Sequence, residues 1–268
     1  MAAKWTMITG ASEGLGAEFA RIAAAEGHDL ILVARQADKL ERLAEELRQR
    51  HGIAAEVWPT DLSDPEAVET LWRKVALRRH VEVVVNNAGL GYNGPFAAES
   101  FEREKASVMV NVVALTILTK RAVTHMLRQG GGRILNVAST ASFMPGPNMA
   151  VYHATKAYVL SLGEALAVEL GATPVRVTTL CPGATATNFA ADAQMQQIVL
   201  FSSLPVASAH SVARAGWRAM KRGRRLCVPG PINKLVALSS ALAPRWLSAR
   251  IAGRFLAAPA AGDRAAAD

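Results

Sequence analysis

Strand-like apolar runs and helix-period segments alternate along this chain, and few folds satisfy that order. Runs suited to strands fall at residues 4–9, 29–33, 53–58, 81–85, 133–137, 175–180 and 225–228. Helical patterns fill the intervals, at 14–26, 36–50, 64–78, 102–128, 153–170, 208–221 and 232–248. Such alternation predicts an α/β fold, a Rossmann-like doubly wound parallel sheet of about seven strands, because each helix must carry the chain back by a right-handed crossover. Val83-Val84-Val85 and Ile134-Leu135-Asn136-Val137 suit strands covered on both faces by helices. The 268 residues match one domain of this kind, and no repeat or boundary divides them. Residues 1–256 therefore read as a single domain, and the Ala-rich stretch 257–268 as a frayed tail.

The first predicted strand runs into Gly10-Ala11-Ser12-Glu13-Gly14-Leu15-Gly16, and a helix follows at once. A strand, a glycine-rich turn and a helix N-terminus together make a phosphate cradle. Glycine lets the backbone approach a pyrophosphate, and the helix-end N–H groups and dipole favour its charge. The spacing is G-x-x-x-G-x-G, and a tight turn without a ligand would satisfy it too.

Tyr152 and Lys156 are four residues apart in a predicted helix and so share one face. A free phenol, with a pKa of about 10, is a poor base at neutral pH. A cation beside it favours the phenolate and should lower that pKa. The pair then suits proton transfer between a carbonyl and an alcohol. Ser139 lies thirteen residues before Tyr152.

Thr9-Gly10-x-x-x-Gly14-x-Gly16, Asn86-Asn87-Ala88-Gly89, Asn111, Ser139, Tyr152-x-x-x-Lys156 and Pro182-Gly183 follow one another along the chain. Their order and separations resemble the short-chain dehydrogenase/reductase family over roughly residues 4–230. The resemblance implies a nicotinamide cofactor and an active site of Asn111, Ser139, Tyr152 and Lys156. By that likeness Ser139 holds the substrate oxygen and Tyr152 exchanges a proton with it. Lys156 binds the nicotinamide ribose and lowers the tyrosine pKa, and Asn111 holds a water leading from Lys156 to solvent. Implied cofactor contacts are Gly10, Ser12, Gly14, Leu15, Gly16, Arg35, Asp61, Leu62, Asn87, Ala88, Gly89, Tyr152, Lys156, Pro182, Gly183, Thr185 and Thr187.

At the end of the second predicted strand stand Ala34 and Arg35. Family members that prefer NAD carry Asp at the first position, where it bonds the ribose and repels a 2′-phosphate. A guanidinium instead matches phosphate bidentately, so NADP(H) is the expected cofactor, with NAD(H) as the alternative. Arg35 also reads as a solvated residue near a helix start. Glu13 occupies a place where many NADP-preferring relatives carry a cation, so a second cationic contact is missing there.

Substrate-bordering segments are expected at residues 90–96, 140–150 and 183–204. They offer Tyr92, Phe143, Met144, Met149, Phe189, Met195 and Phe201, and no Arg or Lys. A small carboxylate is disfavoured by such a lining. A bulky apolar ketone, aldehyde or secondary alcohol suits it. A cofactor-binding sensor on the same fold is the rival reading, although a sensor need not keep the four active-site residues together. His153 points about 100° away from Tyr152 on the helix, which suits packing or a surface role rather than catalysis.

The net charge of +8 is unevenly placed. No Asp or Glu occurs between residues 193 and 262, while Arg214, Arg218, Lys221, Arg222, Arg224, Arg225, Lys234, Arg245, Arg250 and Arg254 do. These cations lack the aromatic interleaving and motifs of a nucleic-acid binder. Segment 231–256 mixes four of them with Leu, Trp, Ile and Phe. An anionic membrane surface, an acyl carrier, a neighbouring subunit and the substrate pocket are all candidates to meet it. Cys181 and Cys227 are too few for a disulfide framework and read as buried thiols. No His/Cys/Asp/Glu cluster has metal-ligand spacing, so no metal is expected. No signal peptide is read at the N-terminus, and no unbroken apolar run reaches about 18 residues. The expected setting is the cytoplasm, peripheral at a membrane if the basic segment docks there. The long helices 102–128 and 153–170 are expected to pair across a two-fold axis into a homodimer or homotetramer, as they commonly do in the family. Apolar Ala154, Ala157, Leu160, Leu162, Ala165 and Leu166 would support that pairing.

Overall fold

A computed structural model describes residues 4–189 and 206–256 of the chain. Seven parallel strands form one sheet: β1 (Trp5–Thr9), β2 (Asp29–Ala34), β3 (Ala55–Pro59), β4 (Val81–Asn86), β5 (Gly132–Val137), β6 (Val175–Leu180) and β9 (Leu226–Cys227). Their spatial order is β3-β2-β1-β4-β5-β6-β9. A two-stranded parallel pair, β7 (Thr185–Ala186) with β8 (Ala207–Ser208), stands apart from it.

The strands carry apolar residues on both faces because helices cover both. Register aligns Ile31, Met7, Val84, Ile134 and Val177 in one row across five strands. That row packs on α3 (Pro65–Ala76) and α5 (Leu115–Arg128) through Val68, Leu71, Trp72, Leu118 and Met126. The neighbouring residues Ile8, Leu32, Val83, Val85 and Leu135 point the other way. They meet α1 (Gly14–Ala25), α2 (Ala37–His51) and α7 (Ala209–Lys221) through Phe19, Leu40, Leu47 and Trp217. Each large side chain taken out of water contributes about 1.5–3 kcal/mol, so two continuous layers hold the sheet rigid. Strand order reverses between β1 and β4, which opens a crevice at the carboxyl ends of the strands.

Two predicted helices differ from the sequence reading. Residues 102–128 are not one regular helix: α4 (Phe101–Val108) leads into a π-helical segment, Met109–Ala114, before α5 begins. Asn111 lies inside that wider winding. The combined helix, Phe101–Arg128, is long and apolar enough to cross a bilayer, but half of its most apolar window is buried in the fold. The helix predicted at 232–248 is two helices, α8 (Pro231–Leu242) and α9 (Arg245–Leu256). Pro244 separates them. Its ring disfavours a helical Ala243, which turns extended at φ −77° and ψ 147°.

The remaining long helix, α6 (Ala150–Glu169), starts a turn earlier than its sequence pattern indicated, so Tyr152 sits in its first turn. Leu160 faces inward against Leu115, Ala138 and Val159, and gives α6 no outer surface. Ala154, Tyr158, Ala165 and Val168 face outward instead.

Candidate active site

The glycine-rich turn is shaped by contacts a side chain would break. Gly10 has φ +64°, and a Cβ there would lie 2.9 Å from the Ala88 backbone. At Gly16 a Cβ would come within 2.0 Å of the Gly10 carbonyl oxygen. Asn87 locks the turn to the end of β4: its Nδ2 donates to Thr9 O at 3.0 Å and Gly10 O at 3.1 Å. The Thr9 hydroxyl accepts from the backbone N–H groups of Asn87 and Ala88. A bare backbone ledge is thus held open beside the N-terminus of α1, and it fits a dinucleotide pyrophosphate.

That ledge is one end of a cavity of about 610 Å³. Of the residues expected to touch cofactor, Gly10, Ser12, Gly14, Leu15, Arg35, Asp61, Leu62, Asn87, Ala88, Gly89, Tyr152, Lys156, Pro182, Gly183, Thr185 and Thr187 all line it. Gly16 does not; it packs beneath the turn, where only a hydrogen fits against Gly10 O.

Arg35 is exposed at the cavity rim, where β2 ends. Asp61 faces the same end, its carboxyl held below the ordinary range first by the Ser63 backbone N–H, then by the Ser63 hydroxyl, and also by Arg35. Lys39, which the sequence reading passed over, supplies a cation in this neighbourhood. Its Nζ lies 2.8 Å from Glu13 Oε2, and Asn188 Nδ2 donates to the same oxygen at 2.9 Å. Lys39 is thus held by the Glu13 carboxylate and does not itself line the cavity. Only its four-residue spacing from Arg35 could have drawn attention to Lys39.

At the other end, β5 and α6 bring Ser139, Tyr152 and Lys156 onto one wall. Ser139 caps the short 3-10 turn Thr140–Phe143, its Oγ accepting from the Ala141 N–H at 3.1 Å. Lys156 is buried, and its Nζ donates to Val137 O at 2.9 Å. Gly91 lets the chain cross the Tyr152 ring; a Cβ there would lie 2.6 Å from Cδ2. Phe189 supports the same ring at a centroid separation of 5.5 Å.

Electrostatics depart from the sequence reading at the phenol. Burial pushes Tyr152 up to about 12, because a phenolate would lose its hydration, and a hydrogen bond from Ser139 offsets only part of this. Lys156 Nζ stands 5.8 Å from the ring centroid, and burial brings the ammonium itself down to about 8. Desolvation of both groups therefore outweighs the expected lowering of Tyr152 by Lys156. Cys181 is fully buried, and burial raises its thiol to about 12, which matches its reading as an inert thiol.

Asn111 lies outside the cavity lining, and its side-chain amide is taken up by protein partners. Its Oδ1 accepts from Leu90 N at 2.8 Å, while Nδ2 donates to Leu90 O at 2.7 Å and Thr155 Oγ1 at 2.9 Å. Both amide hydrogens are engaged, so this side chain clamps the strand-end loop to α6. His153 is buried with Nδ1 2.8 Å from Met144 O, and it also lines the cavity beside Tyr152.

Leu90, Met144, Met149 and Phe189 line the substrate end as expected. Tyr92 does not; it stacks beneath Arg103, whose guanidinium carbon lies 3.9 Å from the ring centroid. Phe143 packs with Leu160 and Cys181 instead. Met195 and Phe201 fall outside the described residues. Sequence reasoning placed no specific pocket residue in the C-terminal segment, yet α8 and α9 roof the cavity with Val236, Ser239, Ser240, Ala243, Ser248, Ile251, Ala252, Phe255 and Leu256. Small residues on the inner side, alternating with large apolar ones, were the available signal.

Comparisons with known proteins agree with this arrangement. An uncharacterized oxidoreductase of Mycobacterium tuberculosis is 37% identical over 180 residues, 66% of this chain and 71% of that protein. A short-chain dehydrogenase from Sphingobium yanoikuyae, solved in complex with NADPH, superposes with a TM-score of 0.81 at 30% identity, over 89% of this chain and 93% of the other. The bulky-bulky ketone specific alcohol dehydrogenase from Comamonas testosteroni has a TM-score of 0.77 at 28% identity, over 90% and 94% of the two chains. The family model described as short chain dehydrogenase matches residues 4–198, most of the sheet and the whole catalytic wall, and the chain belongs to that family of oxidoreductases.

Proposed function

We propose that the protein is an NADP(H)-dependent oxidoreductase that interconverts a bulky apolar ketone or aldehyde and the corresponding alcohol. The observation that carries this reading is the single cavity joining the pyrophosphate ledge to the Ser139–Tyr152–Lys156 wall under an apolar roof. A bound nicotinamide supplies or accepts the hydride. Ser139 orients the substrate oxygen, and Tyr152 donates a proton to it or takes one back. Lys156 would bond the nicotinamide ribose, and its charge near the ring would favour the phenolate as the proton leaves. Asn111 acts as a positioning residue through Leu90 and Thr155. The Comamonas relative's specificity for bulky-bulky ketones and the lack of Arg or Lys among the roof residues that line the cavity support an apolar substrate. The sensor alternative gains nothing from this geometry, since the three polar groups converge on a substrate-sized space. NADPH oxidation against ketones graded by size and charge tests the reading; turnover confined to small charged ketones would overturn it.

Arg35 at the cavity rim supports NADP(H) over NAD(H), as does the NADPH complex of the Sphingobium relative. Arg35→Asp is expected to shift the ratio of kcat/KM values for NADPH and NADH toward NADH by tenfold or more, about 1.4 kcal/mol. A wild type that already favours NADH would contradict this role for Arg35.

Outward-facing Ala154, Tyr158, Ala165 and Val168 on α6 support pairing of α5 and α6 across a two-fold axis, as a dimer or a tetramer built from it. Sedimentation velocity should show a dimer or larger species; a monomer at every concentration would refute the pairing. The buried or half-buried free thiols suit a reducing cytoplasm.

A further inference from the structure

The roof helices have two unlike sides. Small residues of α8 and α9 face the cavity, while Leu235, Leu238, Leu242 and Trp246 stand in solvent, with Trp246 63% and Leu242 79% exposed. Lys234, Arg245, Arg250 and Arg254 stand among them. Among the described residues none of these four cations forms an ion pair, whereas Lys4, Lys39, Arg79, Arg121 and Lys221 elsewhere on the surface do. Ile251 and Phe255 are exposed on the outer side and also line the cavity, so the apolar surface continues into the pocket mouth.

We propose that the outer face of α8 and α9 docks on an anionic lipid bilayer, with the pocket mouth turned toward the acyl region. Leucines, isoleucine, phenylalanine and one tryptophan suit the headgroup–acyl boundary, and interspersed cations suit anionic headgroups. A second copy of the chain is disfavoured as the cover. Pairing this face with itself across a two-fold axis would set Lys234, Arg245, Arg250 and Arg254 against the same cations, with no carboxylate on α8 or α9 to balance them. Docking rests on the surface alone and stands whichever ketone the enzyme reduces.

Flotation of the full chain with vesicles of phosphatidylcholine, with and without phosphatidylserine, tests the proposal. Binding is expected to the anionic vesicles at low salt, and to weaken more than about tenfold in high salt or without phosphatidylserine. Trp246 is the one exposed tryptophan of five, and its fluorescence should be quenched by spin labels carried on the lipid acyl chains. Combined Leu235→Ser, Leu238→Ser, Leu242→Ser and Trp246→Ser should abolish flotation while the circular dichroism spectrum and NADPH binding are retained. Arg245→Glu, Arg250→Glu and Arg254→Glu together should do the same without removing apolar area. No flotation on anionic vesicles at low salt, or undiminished flotation of both variants, overturns the proposal. So does a mass increase with concentration that the apolar variant loses, which would assign the face to a second copy. Binding to an acidic acyl carrier without binding to vesicles would assign it to that protein.

Discussion

Tyr152→Phe is expected to lower kcat by roughly 10²–10⁴-fold while leaving NADPH affinity within about twofold, because it removes only the proton-transferring hydroxyl. The ring would stay seated between Gly91 and Phe189, whose contacts are with carbon atoms. The pyrophosphate ledge is built by Gly10, Gly16 and Asn87, which the substitution does not touch. Stopped-flow hydride transfer and fluorescence titration with NADPH measure the two effects separately. A mutant that reduces ketones at near-normal rate would remove Tyr152 from the chemistry. A collapse of NADPH affinity would instead make the phenol part of the cofactor site.

Lys156→Met is expected to abolish turnover and yet stabilise the protein. Burial depresses the ammonium from an ordinary 10.5 to about 8. Below pH 8 both folded and unfolded chains carry the charge, and the fold bears the full penalty of burying it. As pH rises from about 8 to 10.5 the folded state releases its proton first, and the penalty fades. At about 1.4 kcal/mol per pKa unit the depression is worth about 3 kcal/mol, less about 1 kcal/mol for the lost bond to Val137 O. A net gain of about 2 kcal/mol at pH 7 raises Tm by about 4–8 °C in a domain of this size. The gain should shrink toward pH 10. Thermal unfolding without added cofactor, at pH 7 and pH 10, checks both size and direction; a destabilised mutant at pH 7 would show that the ammonium is well compensated. The penalty is borne at the wall where the chemistry needs the charge.

How much of this was legible beforehand follows the range of the forces involved. Strand runs such as Val83-Val84-Val85 and the turn from Gly10 to Gly16 are local patterns, and the fold and the position of the ledge follow from them. The Tyr152–Lys156 spacing is also local, and it places both groups on one wall. What failed depends on contacts distant in sequence. Burial by residues from several elements reverses the expected shift of Tyr152. Leu90 and Thr155, far from Asn111 in the chain, are partners of its amide that the sequence alone does not reveal. Tyr92 finds Arg103 rather than substrate, and Leu160 turns inward rather than toward a partner. Pro244 was visible in the sequence, and its effect on the preceding residue could have divided α8 from α9 in advance.

The cavity floor and its roof come from separate stretches of chain. Ser139, Tyr152 and Lys156 lie within residues 4–198, which the family model matches, whereas α8 and α9 begin at Pro231, beyond it. The groups on the floor and the groups on the roof can therefore be altered separately. Exchanging Pro231–Leu256 for a different helix pair, spliced at Pro229 and Gly230, is expected to change which ketones enter while Ser139, Tyr152 and Lys156 stay in place.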